Sequence, residues 1–404
     1  MPLKDNPNAG AFMRKIGLAL AAAGALGACA AMPDGLPVLG RGEQANQAAA
    51  DADAEATYIP PLLMTASERR ARHYGEDAAC YDRASEPYTA VVDSHLHFRP
   101  FGGPPIPFDE TVSFLERTGV LYANVYGIGQ SLPVDSPCEY YLDCPGTPAL
   151  PSMKNDFANA QDILELRPEG VHLTLSMTFP DLANPEEIPA QIALIDREYP
   201  GMFAWMGEVN LYKQALTDNG HEPAEVEDIA AWAPFMEILR DRDIPLAIHA
   251  DLGSDDDQTA HLDLFTEVLN QHPDNKIVWM HLGLSRELAN IDPTTHVEIL
   301  SGLLDAHPNL YLDISWTVID DLYFSDPARR PAYVAFLNAH SSRVIPGTDF
   351  VAAHTKSYET YVEELDVTSR ILAHLDDDAF RDIALGQSYF DLLGLDDEAP
   401  EVCR

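Results

Sequence analysis

The stretch Ala90-Val91-Val92-Asp93-Ser94-His95-Leu96-His97-Phe98-Arg99-Pro100 decides how this chain is read. Its apolar start predicts a short strand, and the end of that strand carries two imidazoles, His95 and His97. Side chains two residues apart on a strand point to one face, so both rings can meet a single metal ion. Such a pair also arises by chance in long chains. Its weight comes from the strands that succeed it.

From residue 89 onward, short apolar runs alternate with helical patterns of period 3.6, the mark of βα units. Eight strands are predicted, at 89–97, 120–128, 171–179, 203–212, 245–251, 276–282, 310–316 and 343–350. Helical patterns separate them at 109–118, 157–166, 187–199, 227–242, 260–272, 296–307 and 330–339, and two more, 358–375 and 377–393, close the chain. Eight strands, each followed by a helix, predict an α/β fold: a single (β/α)8 TIM-type barrel with a C-terminal helical extension. Roughly 315 residues is an ordinary length for one with insertions. The longest insertion, residues 127–156, follows the second strand.

Chemistry in such barrels sits at the C-terminal ends of the strands, and the candidate metal ligands fall there. His95 and His97 end the first strand, Glu208 the fourth, His249 the fifth, His281 the sixth and Asp349 the eighth. His249 and His281 are 32 residues apart, one βα unit, and His281 and Asp349 are 68 apart, two units. Four imidazoles and two carboxylates suit zinc or another borderline divalent ion, and no cysteine falls at a strand end. One ion would take His95, His97 and Asp349, and a second His249 and His281, with Glu208 bridging. Whether the centre holds one or two ions stays open. Arg99, two residues beyond His97, should point into the same site. Tyr212, Arg286 and Trp316 come just after strand ends and are candidate substrate contacts, as are Tyr126 and Lys213, with Met177, Phe179 and Trp316 as an apolar wall. Taken singly, each has a plainer role: a hydrogen-bonded core histidine for His249 or His281, a buried ion pair for Glu208, a turn for Asp349, a surface ion pair for Arg99. Their order along the chain argues for a common site.

The ordered set His-x-His, Glu, His, His, Asp on strands one, four, five, six and eight resembles the amidohydrolase superfamily of metal-dependent hydrolases. Val92-Asp93-Ser94-His95-Leu96-His97-Phe98 and the closing Leu385-Gly386-Gln387-Ser388-Tyr389-Phe390-Asp391-Leu392-Leu393-Gly394-Leu395 resemble its amidohydrolase-related (amidohydrolase 2) branch, over residues 89–395. The resemblance implies a metal-bound hydroxide attacking a carbonyl carbon of an amide, lactone or other ester. Asp349 would shuttle the proton to the leaving group, with His281 also in the catalytic set. Relatives often carry a carbamylated lysine on strand four, where this chain has Glu208. In relatives with His-x-His-x-Arg, the arginine binds a substrate carboxylate or amide. Two other readings stay open. One is a decarboxylase of the same branch, with one ion on the strand-one pair, the strand-five His and the strand-eight Asp, Glu208 off the ion and His281 as acid or base. The other is a non-catalytic binding lipoprotein.

Of the 404 residues, 65 are acidic and 25 basic, giving a net charge of −40. That balance excludes nucleic acid, whose phosphates need Lys and Arg to replace their counterions. Residues 1–28 read as an export signal: Arg14 and Lys15 precede the apolar run 16–26, too short to span a bilayer. Leu26-Gly27-Ala28-Cys29 resembles a bacterial lipobox, in which Cys29 becomes lipidated; ordinary cleavage at Ala28-Cys29-Ala30 is the other reading. Ala30 rather than Asp after the cysteine implies the outer membrane. The chain is thus expected to be exported, periplasmic and held to the membrane only by an N-terminal lipid. Residues 29–60 read as a flexible tether, 61–88 as an N-terminal extension with a helix at 65–73, and 89–404 as the barrel. The other four cysteines, in an oxidising compartment, predict two disulfides, Cys138–Cys144 and Cys80–Cys403, against the alternative of free buried thiols. The expected partner is a small-molecule substrate, and a homo-oligomer stays open.

Overall fold

The computed structural model describes residues 64–404 apart from 76, 77, 87, 134 and 135. The export signal, Cys29 and the tether lie outside the described residues. Among the described residues, nine parallel strands form one sheet: β1 (Val92–His97), β2 (Tyr122–Tyr126), β3 (His172–Met177), β4 (Phe203–Tyr212), β5 (Leu246–Ala250), β6 (Ile277–Trp279), β7 (Leu310–Asp313), β8 (Val344–Ile345) and β9 (Phe350–Val351). They neighbour one another in the order β8-β7-β6-β5-β4-β3-β2-β1-β9. β8 and β9 are the two ends of the expected eighth strand. The first pairs with β7, Val344 beside Leu312, and the second with β1, Val351 beside His97. One short segment therefore closes the ring, and the TIM-type barrel is the fold observed.

Every residue of β1, β2 and β5 is buried. Parallel strands covered by helices on one side and barrel core on the other need that continuous apolar character. The helices lie broadly where the 3.6-residue pattern puts them, with local breaks. The pattern at 227–242 divides into Val226–Ala230 and Ala233–Asp241, because Pro234 has no N–H with which to continue the first helix. The pattern at 377–393 divides into Asp377–Ile383 and Gln387–Leu393 around Gly386 at φ 95°. A Cβ at Gly386 would stand 2.9 Å from both Phe390 and Val92, so the break is held by close packing as well as by φ. The sixth strand stops at Trp279, and a tight turn, Met280–Gly283, takes over.

The N-terminal extension carries the expected helix, Ala66–His73, with the Thr65 hydroxyl and Glu68 forming a reciprocal cap. Buried Arg69 reaches Thr89 at 2.8 Å and Glu86 at 3.2 Å. The insertion after β2 folds on itself, Gln130–Ser131 pairing antiparallel with Leu150–Pro151. Both expected disulfides are formed. Among the described residues no helix is long and apolar enough to cross a membrane.

Cys80–Cys403 spans a sequence separation of 323 residues and Cys138–Cys144 only 6. Chain entropy alone assigns them about 5–6 and about 2 kcal/mol. Replacing Cys80 and Cys403 together by Ser should therefore lower Tm more than replacing Cys138 and Cys144. Thermal melts of the two double variants check this, and the reverse order would contradict it.

Candidate active site

Six side chains meet where the strands end. His95 and His97 come from β1, Glu208 from β4 and His249 from β5. His281 and Asp349 lie just beyond β6 and β8, and both hold positive φ, 57° and 58°. That conformation is uncommon for non-glycine residues, although Asp and His enter it more readily than most. For Asp349 the contacts that hold it are visible. Its N–H donates to the His95 carbonyl at 2.8 Å. The preceding Thr348 donates to Asp93 through both N–H (2.9 Å) and hydroxyl (2.8 Å). Asp93 is fully buried, and burial pushes its carboxyl up to about 7 despite those donors and Tyr361.

The Nε2 atoms of His95 and His97 are 3.1 Å apart. Asp349 Oδ1 lies 3.5 and 3.4 Å from them, and Glu208 Oε2 lies 3.9 and 3.5 Å from them. Four ligand atoms around zinc at its usual bond lengths stand about 3.3 Å from one another. His95 and His97 thus stand close to ligand spacing from both carboxylates, as a cage around one ion needs. Hydrogen bonding on the far side of the rings agrees. The Ser315 hydroxyl accepts from His95 Nδ1 at 3.0 Å and His281 Nδ1 at 3.1 Å while donating to Asp313. His97 Nδ1 donates to the Gly127 carbonyl at 2.7 Å. With Nδ1 protonated in each ring, Nε2 presents a lone pair to the centre, as a metal ligand must. Lone pairs and carboxylates converging in a buried space call for positive charge.

The electrostatics show the same demand. Burial opposes ionisation of Asp349 and Glu208. Even so, His95, His97 and His281 hold Asp349 well below the usual carboxylate range, and Lys213 and His249 do the same for Glu208. Burial lowers the His95 imidazole. It opposes protonation of His97 too, but Asp349 and Glu208 lift that ring to about 9.

A second group, Glu208, His249 and His281, also brings ligand atoms together. Here Glu208 Oε1 is hydrogen-bonded to His249 Nδ1, lies 3.8 Å from His281 Nε2, and takes a 3.1 Å bond from Lys213 Nζ. The other nitrogen of His249 bonds Asp251 at 2.9 Å.

The model of the amidohydrolase family matches residues 92–386. The chain belongs to that family. No curated protein matches this amidohydrolase. Solved structures similar to it include dihydroorotase from Campylobacter jejuni (17% identity, 76% of this chain and 84% of that one, TM-score 0.48). Others are an amidohydrolase from Burkholderia multivorans with bound zinc (15%, 76% and 99%, 0.47) and a 5-carboxyvanillate decarboxylase from Novosphingobium aromaticivorans with manganese (12%, 80% and 98%, 0.41).

A cavity of 280 Å³ opens above the amidohydrolase's centre, lined by His249, His281, Asp349, Lys213, Arg286 and Trp316 among others. Arg286 and Trp316 thus stand where substrate contacts were expected, the guanidinium 4.9 Å from the indole ring. Arg99 does not reach it. β1 ends at His97, the alternation lapses there, and Arg99 turns to Asn159 (2.8 Å) and Asp162 on the helix Lys154–Leu166. Tyr212 is also outside, stacked on His261 with ring centres 3.6 Å apart. The β4–β5 register shifts between Asn210 and Tyr212, and such an irregularity re-aims the side chains beyond it. Lys213 enters the cavity instead. Met177 and Phe179 are core residues away from the cavity wall, whose apolar side includes Phe101 and the insertion residues Tyr140, Tyr141 and Leu142. The Cys138–Cys144 bridge therefore brackets part of the wall. His354 pairs with Glu139 at 2.7 Å, half exposed.

Asp313 and Ser315 hydrogen-bond the candidate ligands from behind, and the sequence pattern does not single them out. Asp313 accepts from the N–H groups of His281 and Ser315, both at 3.1 Å, and with Ser315 fixes two ligand rings. Their signal is position alone: an i, i+2 polar pair ending the seventh strand, with no histidine to mark it. Replacing Ser315 by Ala should weaken metal binding ~10–100-fold, the usual cost of losing such a support. Competition against a chromogenic chelator checks this; unchanged affinity would exclude Ser315 as a support.

Proposed function

We propose that this enzyme hydrolyses a carbonyl bond, an amide, lactone or other ester, in a metal-dependent reaction. The observation that carries the reading is Asp349. Its side chain is 17% accessible where those of His95, His97, Glu208, His249 and His281 are 0–5%. Among His95, His97, Glu208 and Asp349 it is the one that also lines the cavity.

His95, His97, Glu208 and Asp349 would hold the divalent ion, with zinc well suited to their nitrogen and oxygen donors. When bound, the ion supplies Lewis acidity and lowers the pKa of water toward neutrality. Asp349, already ionised, takes the proton from the attacking water and passes it to the leaving group. His281, oriented by Ser315, presents Nε2 to the same cavity and completes the catalytic set. Trp316 offers a flat apolar face. Arg286, with no carboxylate within ion-pair distance among the described residues, suits an anionic group on the substrate. The placement of Glu208 Oε2 3.5 Å from His97 Nε2 supports this reading over a decarboxylase arrangement in which Glu208 stands off the ion.

Export and anchoring through a lipid on Cys29 belong to the same proposal, supported by the N-terminal sequence pattern. The test is turnover of lactones, N-acyl amino acids and dipeptides by metal-loaded and chelated protein. Hydrolysis that disappears on chelation and returns with metal is expected. Release of carbon dioxide without hydrolysis would overturn the reading.

A further inference from the structure

Lys213 bears on the second group of ligands, and its role rests on the metal-dependent reading above. The chain has six lysines among 404 residues. This one projects into the cavity with its side chain 14% accessible. Its ammonium is 3.1 Å from Glu208 Oε1, the oxygen that a bridging carboxylate would give to a second ion. A carboxylate oxygen has two lone-pair directions. Oε2 faces His95 and His97, whereas Oε1 already accepts from His249 Nδ1 and from Lys213 Nζ. A second dication there would have to displace the ammonium or sit against it, in a buried space where like charges repel strongly.

We infer that Lys213 is the resident cation of the second position and restricts the centre to one divalent ion. Lys213 is a positioning residue here: it fixes Glu208 with Oε2 toward His95 and His97 and neutralises the oxygen left over. Of the one-ion and two-ion centres that the sequence leaves open, this favours one ion with an ammonium beside it.

The test is manganese loading of the whole protein, read by elemental analysis and by electron paramagnetic resonance. Wild type should retain one manganese per chain after dialysis and give the signal of an isolated ion. Lys213→Met should take up a second ion at least 100-fold more tightly than wild type and show a spin-coupled pair. Lys213→Arg, which keeps the charge, should remain at one. A coupled pair in wild type would overturn the assignment, and needs no variant to fold. A Lys213→Met protein that still holds one isolated ion would overturn it too. Wild type that binds no ion at all would overturn the metal-dependent reading itself, a different result from two ions.

Discussion

Replacing Asp349 with Asn is expected to lower kcat by ~10²–10⁴, the range for losing a general acid–base group, while most of the bound metal stays. Asn keeps the shape of the side chain and one coordinating oxygen. The backbone contact that holds position 349, its N–H to the His95 carbonyl, is untouched. What disappears is the basic oxygen facing the cavity. Because wild-type Asp349 is held well below the usual carboxylate range, that base is present throughout the neutral range, and its loss cannot be recovered by raising the pH. Turnover and metal content measured on one preparation separate the two effects. A kcat within a few fold of wild type would show that the proton travels by another route.

The second large effect is expected at Glu208. Glu208→Gln removes a buried charge that faces His95 and His97 on one side and His249 and Lys213 on the other. The amide offers one oxygen where two are used, so its NH2 must face either the cage or an ammonium. Ion affinity should fall at least ~10–100-fold. Turnover should fall at least ~100-fold, the scale for breaking a water-activating centre. Dialysis against a chelator series and kcat/KM measurements check both. Unchanged content and turnover would favour the arrangement in which Glu208 stands off the ion.

What the sequence makes legible is set by periodicity. β4 runs over Phe203–Tyr212, the expected span, because its apolar run is long and almost wholly buried, with Glu208 inside it. His95 and His97 are readable for the same reason. Positions that leave regular geometry are not. The sixth strand is shorter than its apolar run because His281 and Leu282 take positive φ, which no hydrophobic pattern encodes. The same departure at Asp349 divides the eighth strand. Arg99 and Tyr212 fail as site residues because alternation does not hold past the point where each strand stops being regular. Lys213 enters the cavity by the same irregularity. Asp313 and Ser315 touch the ligands from behind, and such supports show themselves only once the rings they orient are in place.

On the proposed reading, one cation at one place underlies all of this chemistry. Diffraction from crystals of the purified protein, recorded at the absorption edge of the bound metal, locates it directly. The predicted result is a single anomalous peak enclosed by His95, His97, Glu208 and Asp349, with Lys213 still on Glu208. A centre without a peak in catalytically active protein, or a peak bound elsewhere, would contradict it.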